Sequence, residues 1–228
     1  MDDTDATTLL QTVLENVADR VADEREYLTE LDSKIGDADF GANLHRGCQA
    51  ALEAVDELDD PTPAEYLETV GKTLLDEMAG SSGIIFGMSL MKASAELESG
   101  VTPETLVAFT NAFRDNVAER GDVDVGSKTL YDILVPVADT LQASVEMDAD
   151  EDELIDASAR MVEAARRGAM FTAALRAKRG RASYTEWRSV GHPDPGAVGI
   201  LIILQEIHST AEAHVGETRD PSFKDGFG

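Results

Sequence analysis

Residues 31–43 read LDSKIGDADFGAN, and they hold the side chains of this chain best suited to chemistry. Asp32, Asp37 and Asp39 fall within eight positions, with Gly36 and Gly41 among them and Asn43 just after. Asp37 and Asp39 are two apart and face the same side if the segment is extended. A turn at Gly36 brings Asp32 back toward them. Three converging carboxylates repel one another and hold their protons more tightly than usual unless a cation neutralises them. Oxygen-only ligands of this kind suit Mg²⁺ or Ca²⁺ rather than zinc. The competing reading is that the aspartates cap helices on a solvated surface, because clustering is common in a chain with 45 acidic residues. The turn lacks the closing Glu of a twelve-residue EF-hand loop, and no Walker A sequence occurs anywhere.

Two glycine-rich stretches supply the complementary chemistry. AGSSG (79–83) and GHPDPG (191–196) each stand just before a helical pattern. Small residues, free backbone N–H groups and a following helix N-terminus suit a phosphate. An acidic turn facing such helix starts reads as a nucleotide-diphosphate site, since Mg²⁺ commonly takes phosphate oxygens as further ligands.

The chain that must position these groups has 228 residues, long enough to bury a sizeable core. Its formal net charge of −26 disfavours nucleic acid and anionic membranes as partners. With 13 Arg and only 6 Lys it suits concentrated salt, so a halophilic source and an ordinary acidic protein both stay open. The lone Cys48 leaves no internal disulfide and reads as a small core residue. No apolar run is long enough to span a membrane, and the acidic start MDDTDATTLL lacks the basic region of a signal peptide. The expectation is a soluble, cytoplasmic protein.

Apolar residues recur at three and four positions almost throughout, and strand signals are nearly absent. The pattern predicts eight helices. The first is marked by Leu9 to Val21 with Thr4 or Thr8 as its cap, the next by Leu44–Val55, Leu67–Met78 and Ile84–Leu97. The fifth is capped by Thr102, has Pro103 at its first position and stops at Gly121. Thr129–Val145, Asp152–Leu175 and Gly196–His214 complete the set. One all-α domain over residues 1–214 follows, with 215–228 as a loose tail.

The motifs resemble those of the DhaL family, the nucleotide-binding subunits of dihydroxyacetone kinases. LDSKIGDADFGANLHRG is similar to its metal-binding turn, GSSGIIFG to its glycine loop, and GDVDVGSKTLYDILVPV to its G-x-K-T-x-x-D-x-x-x-P segment. KRGRASYTEWRSVGHPDPGA is similar to its R-A-S-Y and G-H-x-D-P-G-A signature. The matches run in order from about Tyr27 to Gln205. One departure stands out: Phe40 occupies the place where the family usually has His.

The resemblance implies an antiparallel eight-helix barrel that binds ADP or ATP at one end through two Mg²⁺ ions. It implies Asp32, Asp37 and Asp39 as metal ligands. Phe40, Gly41, Ala42 and Asn43 would line the phosphates, and Ser81 and Ser82 would donate to them. Gly121 and Leu130 would border the adenine or ribose. Lys178, Arg179 and Arg181 would form a basic loop, and Asp194, Pro195 and Gly196 would close the site. It implies no base on this subunit; His45 and His192 lie nearest the motifs, His192 with a loop hydrogen bond as its expected role, and His208 and His214 read as surface residues. Tyr184 and Trp187 either pack the basic loop or meet a partner. The implied partners are a sugar-binding DhaK-like subunit and a phosphotransferase DhaM-like subunit that rephosphorylates the bound ADP from phosphoenolpyruvate; a homodimer is left open. Two alternatives stand beside this: a kinase subunit exchanging free ATP, and a regulatory subunit without catalysis.

Overall fold

The computed structural model describes residues 2–147 and 151–219. Among the described residues there are nine α-helices and no strand: α1 (Asp3–Asp23), α2 (Arg25–Ile35), α3 (Phe40–Val55), α4 (Pro63–Glu77), α5 (Gly80–Ser94), α6 (Pro103–Gly121), α7 (Tyr131–Glu146), α8 (Glu151–Thr172) and α9 (Pro195–Arg219). Short 3₁₀ segments cover Ala95–Leu97 and Arg181–Ser189. The all-α fold read from periodicity is the fold observed.

The ninth helix comes from the first helical region, which breaks at Glu24 into α1 and α2. Around the molecule α1 packs on α3, α3 on α4, and so on in order through α9, which returns to α1. That ring of eight is the barrel. The short α2 lies outside it, against α3 and α9. The starts of α3, α5, α7 and α9 and the ends of α4 and α6 meet at one mouth, so successive staves alternate in direction. The core runs along the barrel through Val21, Leu44, Val70, Phe86, Val117, Ile133, Ala165 and Ile202, and Leu28 of α2 joins it. Cys48 is part of it, and burial pushes its thiol up to about 12. No described helix is long and apolar enough to cross a membrane.

Local signals set the helix ends, with three departures. Thr102 caps α6 ahead of Pro103, as the sequence predicts, and Thr105 completes a reciprocal cap by accepting from the Thr102 N–H. The first helix is capped by Asp2, whose carboxylate accepts from the Asp5 N–H at 2.9 Å; Thr4 and Thr8 are inside the helix. At the end of α6, Gly121 is still helical and Asp122 takes the left-handed cap conformation, with φ 48°. Helix α9 runs on to Arg219, past the expected end at His214; residues 220–228 of the expected tail lie outside the described residues.

Candidate functional site

The aspartate turn closes by a route that spacing alone does not show. Residues 36–39 are not extended: Ala38 has φ 62°, which swings Asp39 around. Asp32, at the end of α2 and only 7% exposed, accepts from the N–H groups of Asp39 (2.9 Å) and Phe40 (3.2 Å) through Oδ2. It thereby caps α3 from a neighbouring element, and Asp39 makes no cap of its own. Gly36 is required here, because a Cβ would lie 1.9 Å from Asp32 Oδ1. One carboxylate oxygen from each of Asp32, Asp37 and Asp39 comes within 4.8 Å of the others. Burial and the neighbouring Asp37 hold the Asp39 carboxyl above its ordinary value, with Asn43 and Arg181 opposing. The Arg181 guanidinium pairs with Asp37 at 2.9 Å, but both groups are well exposed and the pair is weak.

These carboxylates sit at the edge of a cavity of about 300 Å³ in the barrel mouth. Its lining has polar side chains: Asp32, Asp37, Asp39, Ser81, Ser82, Arg120, Arg179, Arg181 and Asp194. It also has apolar ones: Ile85, Phe86, Val117, Val123 and Leu130. Four helix N-termini converge on this space, those of α3, α5, α7 and α9. The positive ends of their dipoles favour an anion, and the start of α5 has no side-chain cap to compete for its N–H groups. Ser81 and Ser82 belong to the first turn of α5, whose N-cap residue Ala79 offers no side-chain acceptor.

The loop ahead of α7 is locked by Asp132, whose carboxylate accepts from Gly126 N–H (2.5 Å) and Thr129 N–H (2.9 Å). Asp194 caps α9 by accepting from Ala197 N–H at 2.8 Å. Burial pushes its carboxyl up to about 7, against the pull of that hydrogen bond and of Lys128. Arg179 is held at the rim by Asp122, through both its side chain and its carbonyl.

Most of the expected site residues come together. Asp32, Asp37, Asp39, Phe40, Ser81, Ser82, Gly121, Leu130, Arg179, Arg181, Asp194, Pro195 and Gly196 all border the cavity. Gly41, Ala42, Asn43 and Lys178 do not. Gly41 instead lets α3 approach α2: a Cβ there would sit 2.2 Å from the Arg25 carbonyl. Asn43 faces Asp39 and accepts from Arg46 at 2.9 Å, so it shapes the turn rather than the cavity wall. Lys178 is exposed beside Gly126. His192 takes part in a loop hydrogen bond through its carbonyl, which accepts from Lys128. His208 stands half-buried, its Nδ1 at 2.7 Å from Ser158 Oγ. Arg120, Lys128 and the apolar wall from Ile85, Phe86, Val117 and Val123 were not expected. The only sequence signal for Arg120 is a base in the last turn of α6, and for Lys128 its place in the GSKT stretch.

Comparison with known proteins bears on this cavity. Residues 34–209 match the family model of the DAK2 domain. The PEP-dependent dihydroxyacetone kinase ADP-binding subunit DhaL of Escherichia coli strain K12 is 34% identical over 87% of this chain and 94% of its own. The PTS-dependent dihydroxyacetone kinase ADP-binding subunit DhaL of Lactococcus lactis is 31% identical over 83% of this chain and 90% of its own. Among solved structures, the C. freundii dihydroxyacetone kinase in complex with AMP-PNP and Mg²⁺ superposes with a TM-score of 0.70 at 22% identity, covering 89% of this chain and 34% of that one. At that identity the superposition speaks for the fold.

Proposed function

Because this chain belongs to the DAK2-domain family, together with the DhaL subunits, we propose that it is the ADP-binding subunit of a phosphoenolpyruvate-dependent dihydroxyacetone kinase. The observation that carries this reading is the joining of three aspartate oxygens within 4.8 Å to a cavity lined by both polar and apolar side chains. A nucleoside diphosphate calls for both kinds of lining, since it has a flat apolar base at one end and a dense negative charge at the other.

The residues present fit magnesium. The donors are oxygen only, they converge, and their mutual repulsion calls for a cation. Asp32, Asp37 and Asp39 would hold two Mg²⁺ ions between the chain and the diphosphate. Bound there, the ions would offset the charge that builds on phosphoryl oxygens during transfer. The chain itself does the rest. Ser81 and Ser82 present hydroxyl and N–H donors from the start of α5, and Arg120, Arg179 and Arg181 add positive charge at the rim. Ile85, Val117, Val123 and Leu130 would offer the base apolar contacts. Such fixed dipoles need no rearrangement when charge develops.

On this reading the nucleotide stays bound as a coenzyme. A phosphotransferase subunit recharges it, and a sugar-binding subunit offers the acceptor hydroxyl of dihydroxyacetone. The rim supports a docking role: Tyr184 is 84% exposed and Trp187 72% exposed, with the Arg176 guanidinium 5.4 Å from the Trp187 ring centre. They lie in the 3₁₀ segment that begins at Arg181, a residue of the cavity wall. Large aromatic side chains left in water beside a site are common anchors for partners.

The test is mass spectrometry of the small molecule released on denaturing protein purified in Mg²⁺. ADP at close to one per chain is the expected result, and ADP that survives gel filtration marks a retained coenzyme. Protein that releases no nucleotide and binds none when Mg²⁺ and ADP are added would remove the proposal. Nucleotide that exchanges freely with ATP would instead mark an ATP-dependent subunit.

A further inference from the structure

Lys128 is the largest fully buried side chain among the described residues, at 0% exposure, yet it belongs to the cavity wall. Its backbone has φ 62°, a conformation rare for residues other than glycine. A lysine buried in this way loses its hydration and must be repaid by specific partners. The ammonium donates to the Thr172 carbonyl at 2.6 Å and to the His192 carbonyl at 2.5 Å. The first is an end carbonyl of α8, which has no partner within its own helix. The second lies in the loop that leads into α9. Thr172 closes the circuit, since its hydroxyl oxygen accepts from Asp194 N–H at 2.9 Å. Asp132 and Asp194 flank the ammonium with negative charge.

We infer that Lys128 is a positioning residue for nucleotide binding: its buried ammonium ties the end of α8 to the 191–194 loop and so fixes the start of α9 against the cavity. An apolar side chain of equal length would fill the space but take the ammonium from the His192 carbonyl and leave the Thr172 carbonyl only the Leu175 N–H, at 3.1 Å. Residues 192–196 would then keep the Gly191 N–H bond to the Ala173 carbonyl and the Asp194 N–H bond to Thr172, but lose the anchor between them at His192 that helps to set Asp194, Pro195 and Gly196 at the cavity edge. The inference rests on the reading of the cavity as a nucleotide site.

The test compares Mg²⁺–ADP affinity and melting temperature for wild type, Lys128→Met and Thr210→Val. Thr210 is buried between α1 and α9, where it accepts from Asn16 at 2.9 Å, so its loss destabilises the barrel away from the mouth. The expected result is binding by wild type, about tenfold weaker binding by Lys128→Met, and unchanged binding by Thr210→Val. Amide exchange should rise in residues 191–197 of Lys128→Met more than in α1 or α3. Equal affinity of Lys128→Met and wild type overturns the inference and leaves the nucleotide reading intact. Equal weakening in Thr210→Val also overturns it, because general loss of stability would then suffice. If wild type binds no Mg²⁺–ADP, the nucleotide reading falls and the inference with it. Should Lys128→Met fail to fold, Thr172→Val cuts the same circuit at Asp194; weakened binding supports the inference and wild-type binding overturns it.

Discussion

Asp132 and Asp194 stand beside an ammonium supplied by the chain itself, and backbone N–H groups donate to both. Asp32, Asp37 and Asp39 border the same cavity with a different balance. Two backbone N–H groups donate to Asp32, while a solvent-exposed arginine is paired with Asp37. The first cluster carries its own cation at full burial. The second holds three carboxylates within 4.8 Å and leaves Asp39 with a carboxyl that releases its proton reluctantly. The contrast teaches that similar acidic composition serves two ends. An internally neutralised cluster fixes loops, whereas one short of positive charge keeps a repulsion that a cation from solution would relieve.

The sharpest way to break that contrast is Asp37→Ala. It removes a carboxylate from the deficient cluster, and ADP affinity measured by calorimetry in Mg²⁺ should fall about 100-fold or more. Helical circular dichroism should stay as in wild type, because no Asp37 contact holds two helices together. Unchanged ADP affinity would mean that the cluster is not a cation site. Gly36→Ala acts one step back. Its Cβ would press on Asp32 Oδ1, turning that carboxylate out of place, and the same titration should show a loss of about tenfold.

Phe40→His asks whether the ring at this position matters to the ligand. Phe40 is buried, its ring centre 6.2 Å from that of Phe86, and it reaches Asp32 through its backbone N–H. The backbone contact survives the change, so ADP affinity should alter by less than about threefold while burial of an imidazole costs about 1–2 kcal/mol in urea unfolding. A much tighter complex would show that the ring itself touches the ligand.

The smallest effect sharpens the electrostatic side. Asp39 has a higher value in the folded chain than in the unfolded one, so the metal-free protein loses stability as pH rises through that folded value. Asp39→Asn removes the repelling charge and should raise the metal-free melting temperature at neutral pH by roughly 1–3 °C. A fall would mean that the cluster is not under repulsion.

Much of this was legible in local pattern. The capping of α6 by Thr102 and Thr105 needs only neighbours three apart, and the closeness of Asp32, Asp37 and Asp39 follows from a short segment with a glycine in it. The break at Glu24 was harder to see, because apolar periodicity continues from α1 into α2 across it. The packing role of Gly41 against α2 was hidden for a related reason. A glycine beside an acidic turn reads equally well as a ligand-facing or a packing residue, and only the position of the Arg25 carbonyl decides between them.

By itself the sequence determined the helices, their order and the acidic turn, since these depend on residues within a few positions of one another. The tertiary structure alone decided which side chains share the cavity. Ile85, Val117 and Leu130 meet there from three separate helix ends, and Lys128 finds its acceptors 44 and 64 residues away at Thr172 and His192. Burial and hydrogen-bond partnership across such separations are set by how the barrel closes, and no local spacing encodes that.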